Sequence, residues 1–461
     1  MSGIAELLAN LGYRVTGSDV KRSEVTDRLE TLGVRVSEGH DARLVVGADV
    51  VVTSSAVGAG NPEIAEAHRR RIPVIPRAEM LAELMRLRSG IAVAGSHGKT
   101  TTTSMVALVL ERAGLDPTAV IGGKLSAFGS NARLGRGPYM VVEADESDRS
   151  FLRLSPTLAI ITNVDHEHLD AYRDFDDLCA AFADFANRVP FYGAVVACVD
   201  DPHLRSLIPR LTRRVVTYGL EPTDADLVGR RVRQDGTEWV CSMEPGPGLR
   251  DAVGLTSAPP PGLGDLRLRV PGRHNLLNAL AAVVVGLELG LAIEAVAAAL
   301  RAFQGADRRF QVRGEARGVQ VIDDYGHHPT EIAAVLDAAR IALGRRLVVV
   351  FQPHRYSRTA ALLEAFGPAL SRADVVVLTD IYPAGEAPVP GATLEALAAA
   401  IDRHLGPRLR VAPSLDQALS AVLDVVSPGD AVITLGAGSI SALGPRLLDA
   451  LGGGHCGEAR A

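Results

Sequence analysis

The run Gly95-Ser-His-Gly-Lys-Thr-Thr101 puts glycine turns, one ammonium and three hydroxyls into a single short loop. Glycines let a backbone fold around an anion so that amides and a helix amino-terminal end face it. In such a loop Lys99 supplies positive charge to the β- and γ-phosphates of a nucleotide, and the Thr100 hydroxyl can sit on Mg²⁺. The first glycine falls three residues before Gly98, so the spacing departs from the usual GxxxxGK[ST]. Only two other lysines occur in the chain, Lys21 and Lys124. Where arginine does nearly all the cationic work, a lysine here points to a need for a compact point charge.

Two further clusters follow short apolar runs. Glu143 comes after Tyr139-Met-Val-Val142 and opens Glu-Ala-Asp-Glu-Ser-Asp148. A carboxylate at a strand end beside a phosphate loop can hold Mg²⁺ directly or through water, the plainer alternative being an acidic surface turn. Thr162-Asn-Val-Asp-His-Glu-His-Leu-Asp170 follows another apolar run. Its histidines lack tetrahedral spacing with any cysteine, and phosphate chemistry favours magnesium over zinc.

In the last third, Asp323-Asp-Tyr-Gly-His-His-Pro-Thr330 and Gln352-Pro-His-Arg-Tyr-Ser-Arg358 each follow an apolar run, where the loops of open α/β sheets line a ligand crevice. Arg355 and Arg358, three apart at an expected helix start, can face one carboxylate; a solvated basic face is the alternative. Gly272-Arg-His-Asn-Leu-Leu-Asn278 opens an apolar helix with Asn275 and Asn278 on one face. Their amides suit an adenine edge, although helix capping is the simpler account of Asn275 alone.

The elements that must carry these groups alternate between short β-branched runs and amphipathic helical stretches, the pattern of α/β domains with largely parallel sheets. The spacing predicts a helix over 3–11, a strand over 14–16 ending at the acidic Asp19, and a strand over 48–53 leading into Ser54 and Ser55. A strand closed by an acidic residue is where a Rossmann-like unit meets a ribose hydroxyl, the plainer alternative for Asp19 alone being an ordinary surface carboxylate. Further strands are expected over 90–94, 319–322, 347–351, 375–378 and 431–435. Residues 276–300 read as two helices broken near Gly290, and 221–271 as an antiparallel excursion with surface loops.

A chain of 461 residues exceeds one core, so two to four domains are expected. The net charge of -6 and the low aromatic content, 4%, argue against a nucleic-acid surface. Cys179, Cys198, Cys241 and Cys456 show no zinc or redox spacing, which suits a reducing cytoplasm. The amino terminus has no signal-peptide pattern and no run suits a membrane span.

Taken together, GSHGKTTTT, EADESD, the loop with His168 and Asp170, PGRHNLLNA, DRRF, DDYGHHPTE, FQPHRYSRT and DIYPAGE resemble the Mur ligase family, in the family's order and over essentially the whole chain. The resemblance implies three α/β domains: a Rossmann-like UDP-sugar domain over 1–86, a central P-loop ATPase with a parallel sheet over 87–309, and a Rossmann-like amino-acid domain over 310–461. It implies that Gly95, Ser96, His97, Gly98, Lys99, Thr100 and Thr101 hold ATP, with His274, Asn275 and Asn278 at adenine and Arg308 at the phosphates. Thr100, Glu143 and His168 would serve Mg²⁺, with Lys99, His168 and Arg308 as the catalytic groups. Tyr325, His327, His354, Arg355 and Arg358 would surround L-alanine, and Asp19, Ser54 and Ser55 the UDP-sugar. The two carboxyl-terminal loops point to the branch that adds L-alanine to UDP-N-acetylmuramate, in the cytoplasm, as a monomer or weak homodimer. A tripeptide-recycling ligase and a folylpolyglutamate synthase are the rival amide ligases, and a nucleotide-binding switch is the rival of another class.

Two departures are visible. Glu167 stands where the family often has Asp. The family also opens with a strand and a glycine-rich loop before the equivalent of MSGIAE. The expectation is therefore that the upstream frame encodes roughly 10–20 more residues, the length of one strand and a turn, and that the 461-residue form binds UDP-sugar poorly or is unstable. Sister ligases use a carbamylated lysine near the metals; no lysine follows Lys124 here.

Overall fold

The computed structural model describes residues 1–54, 57–58, 60–125, 130–167, 171–220, 224–253 and 262–452, without the side chains of 123–125 and 130–131. It divides into two compact units, Met1–Val228 with Pro245–Leu263 and Ala279–Ala299, and Gly229–Glu244 with Gly264–Asn278 and Leu300–Ala461.

In the first unit, strands β1 (Thr16–Asp19) and β2 (Arg35–Glu38) form one two-stranded parallel sheet, and β3 (Val51–Thr53) and β4 (Val74–Pro76) form another. The strand expected over 14–16 thus starts at Thr16 and runs to Asp19 itself. Its residues Thr-Gly-Ser-Asp are mostly exposed, so no burial pattern marked its limits. The main sheet is built from β5 (Ser89–Ala94), β6 (Thr118–Leu125), β7 (Ser130–Arg133), β8 (Tyr139–Glu143), β9 (Leu158–Ile161), β10 (Ala194–Cys198) and β11 (Val215–Gly219). Their order is β11-β10-β9-β5-β8-β6-β7, and only β7 runs antiparallel to its neighbour. Strand β12 (Leu227–Asp235) joins β11 in parallel through Leu227 and Val228.

β5, β9 and β10 are apolar almost throughout and buried except for Ser89, as expected of parallel strands covered on both faces. Placing β5 between β8 and β9 sets three carboxyl-terminal loops side by side: the glycine turn after Ala94, Glu143 with its acidic run, and the loop from Thr162.

In the second unit, β13 (Glu238–Pro245) and β14 (Asp265–Leu268) pair antiparallel, which fits the excursion expected over 221–271. A second sheet contains β15 (Gln311–Ala316), β16 (Val319–Asp324), β17 (Leu347–Phe351), β18 (Val375–Leu378), β19 (Leu409–Val411) and β20 (Ala431–Leu435), ordered β15-β16-β20-β17-β18-β19. All but β15 are parallel. One face packs under helices that contribute Ile332, Leu336, Phe366, Leu397 and Ile401; the other is covered by Leu443, Leu447 and Val422. Strands β16 and β17 flank β20, so the loops after Asp324 and Phe351 leave the same end of the sheet. The helices Arg273–Glu288 and Ile293–Arg301 break around Gly290, whose φ is +71°.

Candidate functional site

The phosphate loop sits between β5 and the helix Lys99–Arg112, whose first turn includes Thr100 and Thr101. Gly95 has φ +133°, and a Cβ there would stand 2.0 Å from Thr162 Oγ1, so no other residue fits. Gly98 is left-handed at φ +81° and serves as the N-cap.

The loop takes its shape from the segment after β9. The Ser96 amide donates to Asn163 O (3.2 Å) and the His97 amide to Asn163 Oδ1 (2.8 Å), while Asn163 Nδ2 returns a bond to His97 O (3.1 Å). Thr162 Oγ1 also donates to His97 O (2.6 Å), and the Asp165 amide to Ser96 Oγ (2.8 Å). His97 Nε2 lies 2.9 Å from Asp165 Oδ2. Two loop amides are thus already used within the protein. Those of Lys99, Thr100 and Thr101, in the first helical turn, have no partner within the helix.

Lys99 Nζ donates to Gly95 O (2.7 Å), Ser96 O (3.1 Å) and Glu146 Oε1 (2.8 Å). Burial alone would lower its pKa, but the Glu146 and Asp145 carboxylates outweigh that and raise it, so the ammonium stays charged. Burial pushes Glu146 up to about 7 against the pull of Lys99. Thr100 Oγ1 lies 3.1 and 3.0 Å from the two oxygens of Glu143, the last residue of β8. His168, Asp170 and Ser55 lie outside the described residues.

In the second unit the two expected loops come together. Tyr325 and His327 meet edge to face with centroids 5.5 Å apart, His327 and His354 lie 5.8 Å apart, and His354 stacks on Tyr382 at 5.6 Å with a 9° tilt. Arg358 Nη1 reaches His354 Nδ1 and O, both at 3.3 Å. Arg355 caps the helix Tyr356–Ala361 at φ +72° and points Nη1 at Glu386, 3.5 Å away. Burial, then the nearby His327, Arg358 and Arg355, hold His354 down to about 3, so its ring is neutral. Tyr382 and Glu386 lie in the DIYPAGE run but carry no signal that distinguishes them as site residues; they enter through a bridge of His354 with Tyr382 across the sheet end.

Arg308 sits at φ +56°, with Nε on Asp323 (3.1 Å), Nη2 on Gly436 O (2.6 Å) and its guanidinium 5.1 Å over the Tyr325 ring. Phe310, also left-handed, gives its amide to Asp324 (2.7 Å), which burial raises to about 6. His274 is lowered to about 4, first by burial and then by Arg309. Asn275 is not an N-cap: the helix starts earlier, at Arg273, and Asn275 Nδ2 donates to Pro271 O (2.6 Å). Asn278 Nδ2 donates in turn to Asn275 Oδ1 (3.3 Å).

Asp19 is exposed at the end of β1, and Ser54 directly follows β3. Beside Asp19, Ser18 Oγ donates to Glu63 Oε1 (2.7 Å), and His40 Nδ1 lies 3.1 Å from Ser18 Oγ and 3.0 Å from the same Glu63 oxygen. Sequence alone gives no hint of this trio, whose members lie 22 and 45 positions from Ser18.

Family profiles match in chain order: the Mur ligase family catalytic domain over residues 1–89, the Mur ligase middle domain over 93–286, and the Mur ligase glutamate ligase domain over 308–438. The UDP-N-acetylmuramate–L-alanine ligase of Anaeromyxobacter sp. is 56% identical over 457 residues, covering 98% of this chain and 95% of its own length. The crystal structure of the UDP-N-acetylmuramate-alanine ligase from Thermotoga maritima superposes with a TM-score of 0.80 at 29% identity, covering 98% of this chain and 96% of that one. A murein peptide ligase from Psychrobacter arcticus gives 0.69 at 26% identity, with the same coverage.

Proposed function

The chain belongs to the Mur ligase family, and on that premise we propose that it joins L-alanine to the lactyl carboxylate of UDP-N-acetylmuramate with the cleavage of ATP, a step of peptidoglycan synthesis. Its architecture is the family's: three α/β domains with a large, mostly parallel central sheet. The observation that carries the choice of amino acid is the cluster of His327, His354 and Tyr382 rings with Arg355 and Arg358 beside it, compact and cationic enough for a small amino acid. The alanine-adding relative from Thermotoga maritima also superposes better than the murein peptide ligase, which favours free alanine over a tripeptide.

A carboxylate is a poor acylating group. Its oxygen attacks the γ-phosphoryl of ATP, ADP leaves, and an acyl phosphate forms. Lys99 carries the positive charge of the phosphate loop, and by family resemblance alone Arg308 would add a second cation, against anions that otherwise repel. The neutral amine of alanine then attacks the acyl carbon, and phosphate departs from the tetrahedral intermediate. Mg²⁺ suits the oxygen donors of Thr100 and Glu143, only 3.0–3.1 Å apart, with His168 joining them by family resemblance. Bound there, it would neutralise phosphate charge. Neutral His354 leaves the two arginines as the cations that meet the alanine carboxylate. Among the described residues no helix is long and apolar enough to cross a membrane; work on a cytoplasmic nucleotide-sugar is part of the proposal.

The test is mass spectrometry of products from UDP-N-acetylmuramate, ATP and L-alanine, beside parallel reactions with tripeptide and with glutamate. Formation of UDP-N-acetylmuramoyl-L-alanine with one ADP per bond is expected. Exclusive use of the tripeptide would replace the proposal with the recycling activity.

A further inference from the structure

The three N–H bonds of the Lys99 ammonium are all occupied: two by carbonyls of its own loop, Gly95 O and Ser96 O, and the third by Glu146 Oε1. An ammonium has three donors and no more, so this lysine has none left for a phosphate oxygen. The carboxylate that takes the third bond is that of Glu146, whose side chain is 1% exposed. Glu146 is fixed from behind, because the buried Tyr172 hydroxyl donates to its backbone carbonyl at 2.6 Å.

We infer that Glu146 is an internal counter-ion that stands in for phosphate in the nucleotide-free loop, and that nucleotide binding requires Lys99 to exchange this carboxylate for a phosphate oxygen. The inference rests on the reading of this loop as the ATP site. The physical argument is one of competing anions. A phosphate brought to Lys99 beside a desolvated carboxylate is repelled, and a carboxylate that loses its cation while buried is left uncompensated. Either way the negative charge of Glu146 opposes nucleotide binding, while it keeps the lysine ordered and charged in the empty protein. Glu146 is thus a positioning residue for Lys99 and sets the affinity of the phosphate loop. Two charged groups that hold each other in the free state and are separated on binding reduce affinity for the ligand by the strength of their own pairing.

The test uses the full chain and ADP as probe, by calorimetric titration in EDTA and again with Mg²⁺. Glu146→Gln keeps the size and an acceptor oxygen but removes the charge; its Kd for ADP should fall about tenfold, the effect of one lost like-charge contact. In a Lys99→Met background the same substitution should change Kd by less than half as much, because it acts through the lysine. Glu146→Asp, which keeps the charge on a shorter arm, should bind ADP more tightly than the native chain but less tightly than Glu146→Gln, and carries the test if the Gln variant does not fold. A structural role alone would leave Kd unchanged or raise it in both variants, and either result overturns the inference. Failure of the native chain to bind ADP at all would instead remove the ATP-site reading on which it stands.

Discussion

The hydroxyl of Thr100 lies within 3.1 Å of both carboxylate oxygens of Glu143, although the two residues sit on different elements 43 positions apart. The Gly122 amide donates to the same carboxylate at 2.8 Å, and a Cβ on Gly122 would come equally close to it. The carboxylate is therefore held facing the phosphate loop. Glu143→Gln should raise the Mg²⁺ concentration for half-maximal ligation at least about tenfold, as losing one charged oxygen ligand does. Activity should not respond to bicarbonate, since no lysine follows Lys124 to be carbamylated. An unchanged Mg²⁺ requirement in the variant, or stimulation by CO₂, speaks against this site.

Lys99→Ala should abolish ligation. It also leaves Glu146 buried opposite a void, which sets a ceiling of about 3–5 kcal/mol on the loss of stability. The loss should fall short of that ceiling, because burial already pushes Glu146 up to about 7 and it can neutralise by taking a proton. Thermal melts should therefore show the single variant recovering stability as the pH is lowered towards 6. Native-like turnover from Lys99→Ala would remove the lysine from the chemistry.

Arg355→Ala and Arg358→Ala should each raise KM for alanine about 30- to 1,000-fold, corresponding to about 2–4 kcal/mol for truncating one partner of a desolvated charge pair. KM for ATP should change little. The Arg355 side chain is 39% accessible and already bridged to Glu386, so its effect should lie at the low end of that range. Steady-state kinetics with each substrate varied separately will decide; a rise confined to ATP would refute the assignment.

His354 gives a pH prediction with a definite sign. Its pKa in the fold, about 3, lies below the ordinary 6.5, so between those values the unfolded chain binds a proton that the folded chain refuses. Stability from this group is complete above about pH 6.5 and is lost as pH falls towards 3. His354→Asn should therefore lose less stability than the native chain between pH 7 and 5, by about 1 kcal/mol after allowance for partial exposure. Urea melts at the two pH values measure it, and equal losses in both proteins would contradict the buried neutral ring.

Much of the fold is legible from residues that are buried on both faces. Leu347–Phe351, Val375–Leu378 and Ala431–Leu435 appear with the limits their apolar runs imply, because covered parallel strands leave an unbroken hydrophobic record. The exposed β1 leaves no such record, and its limits shift by two residues at the start and three at the end. At the site, residue types and motif order bring Lys99, Thr100, Glu143, His327 and His354 into view. Glu146, Asn163 and Tyr382 are hidden because their roles arise from tertiary approach: an acidic residue in an acidic run, an amide in a loop and a tyrosine beyond a strand look the same in sequence whatever they touch.

The double hold of Asn163 on His97 has a consequence for solvent exchange. An amide that already donates to a neighbouring loop is slow to trade its hydrogen for deuterium, with or without nucleotide, whereas one at an open helix end trades freely until something covers it. Ser96 and His97 should thus behave like residues of a strand in the empty protein, and the sensitivity to bound nucleotide should fall on Lys99, Thr100 and Thr101. The half of the loop that glycine makes pliable is the half that is already pinned. Its reporter of occupancy is the helix it leads into.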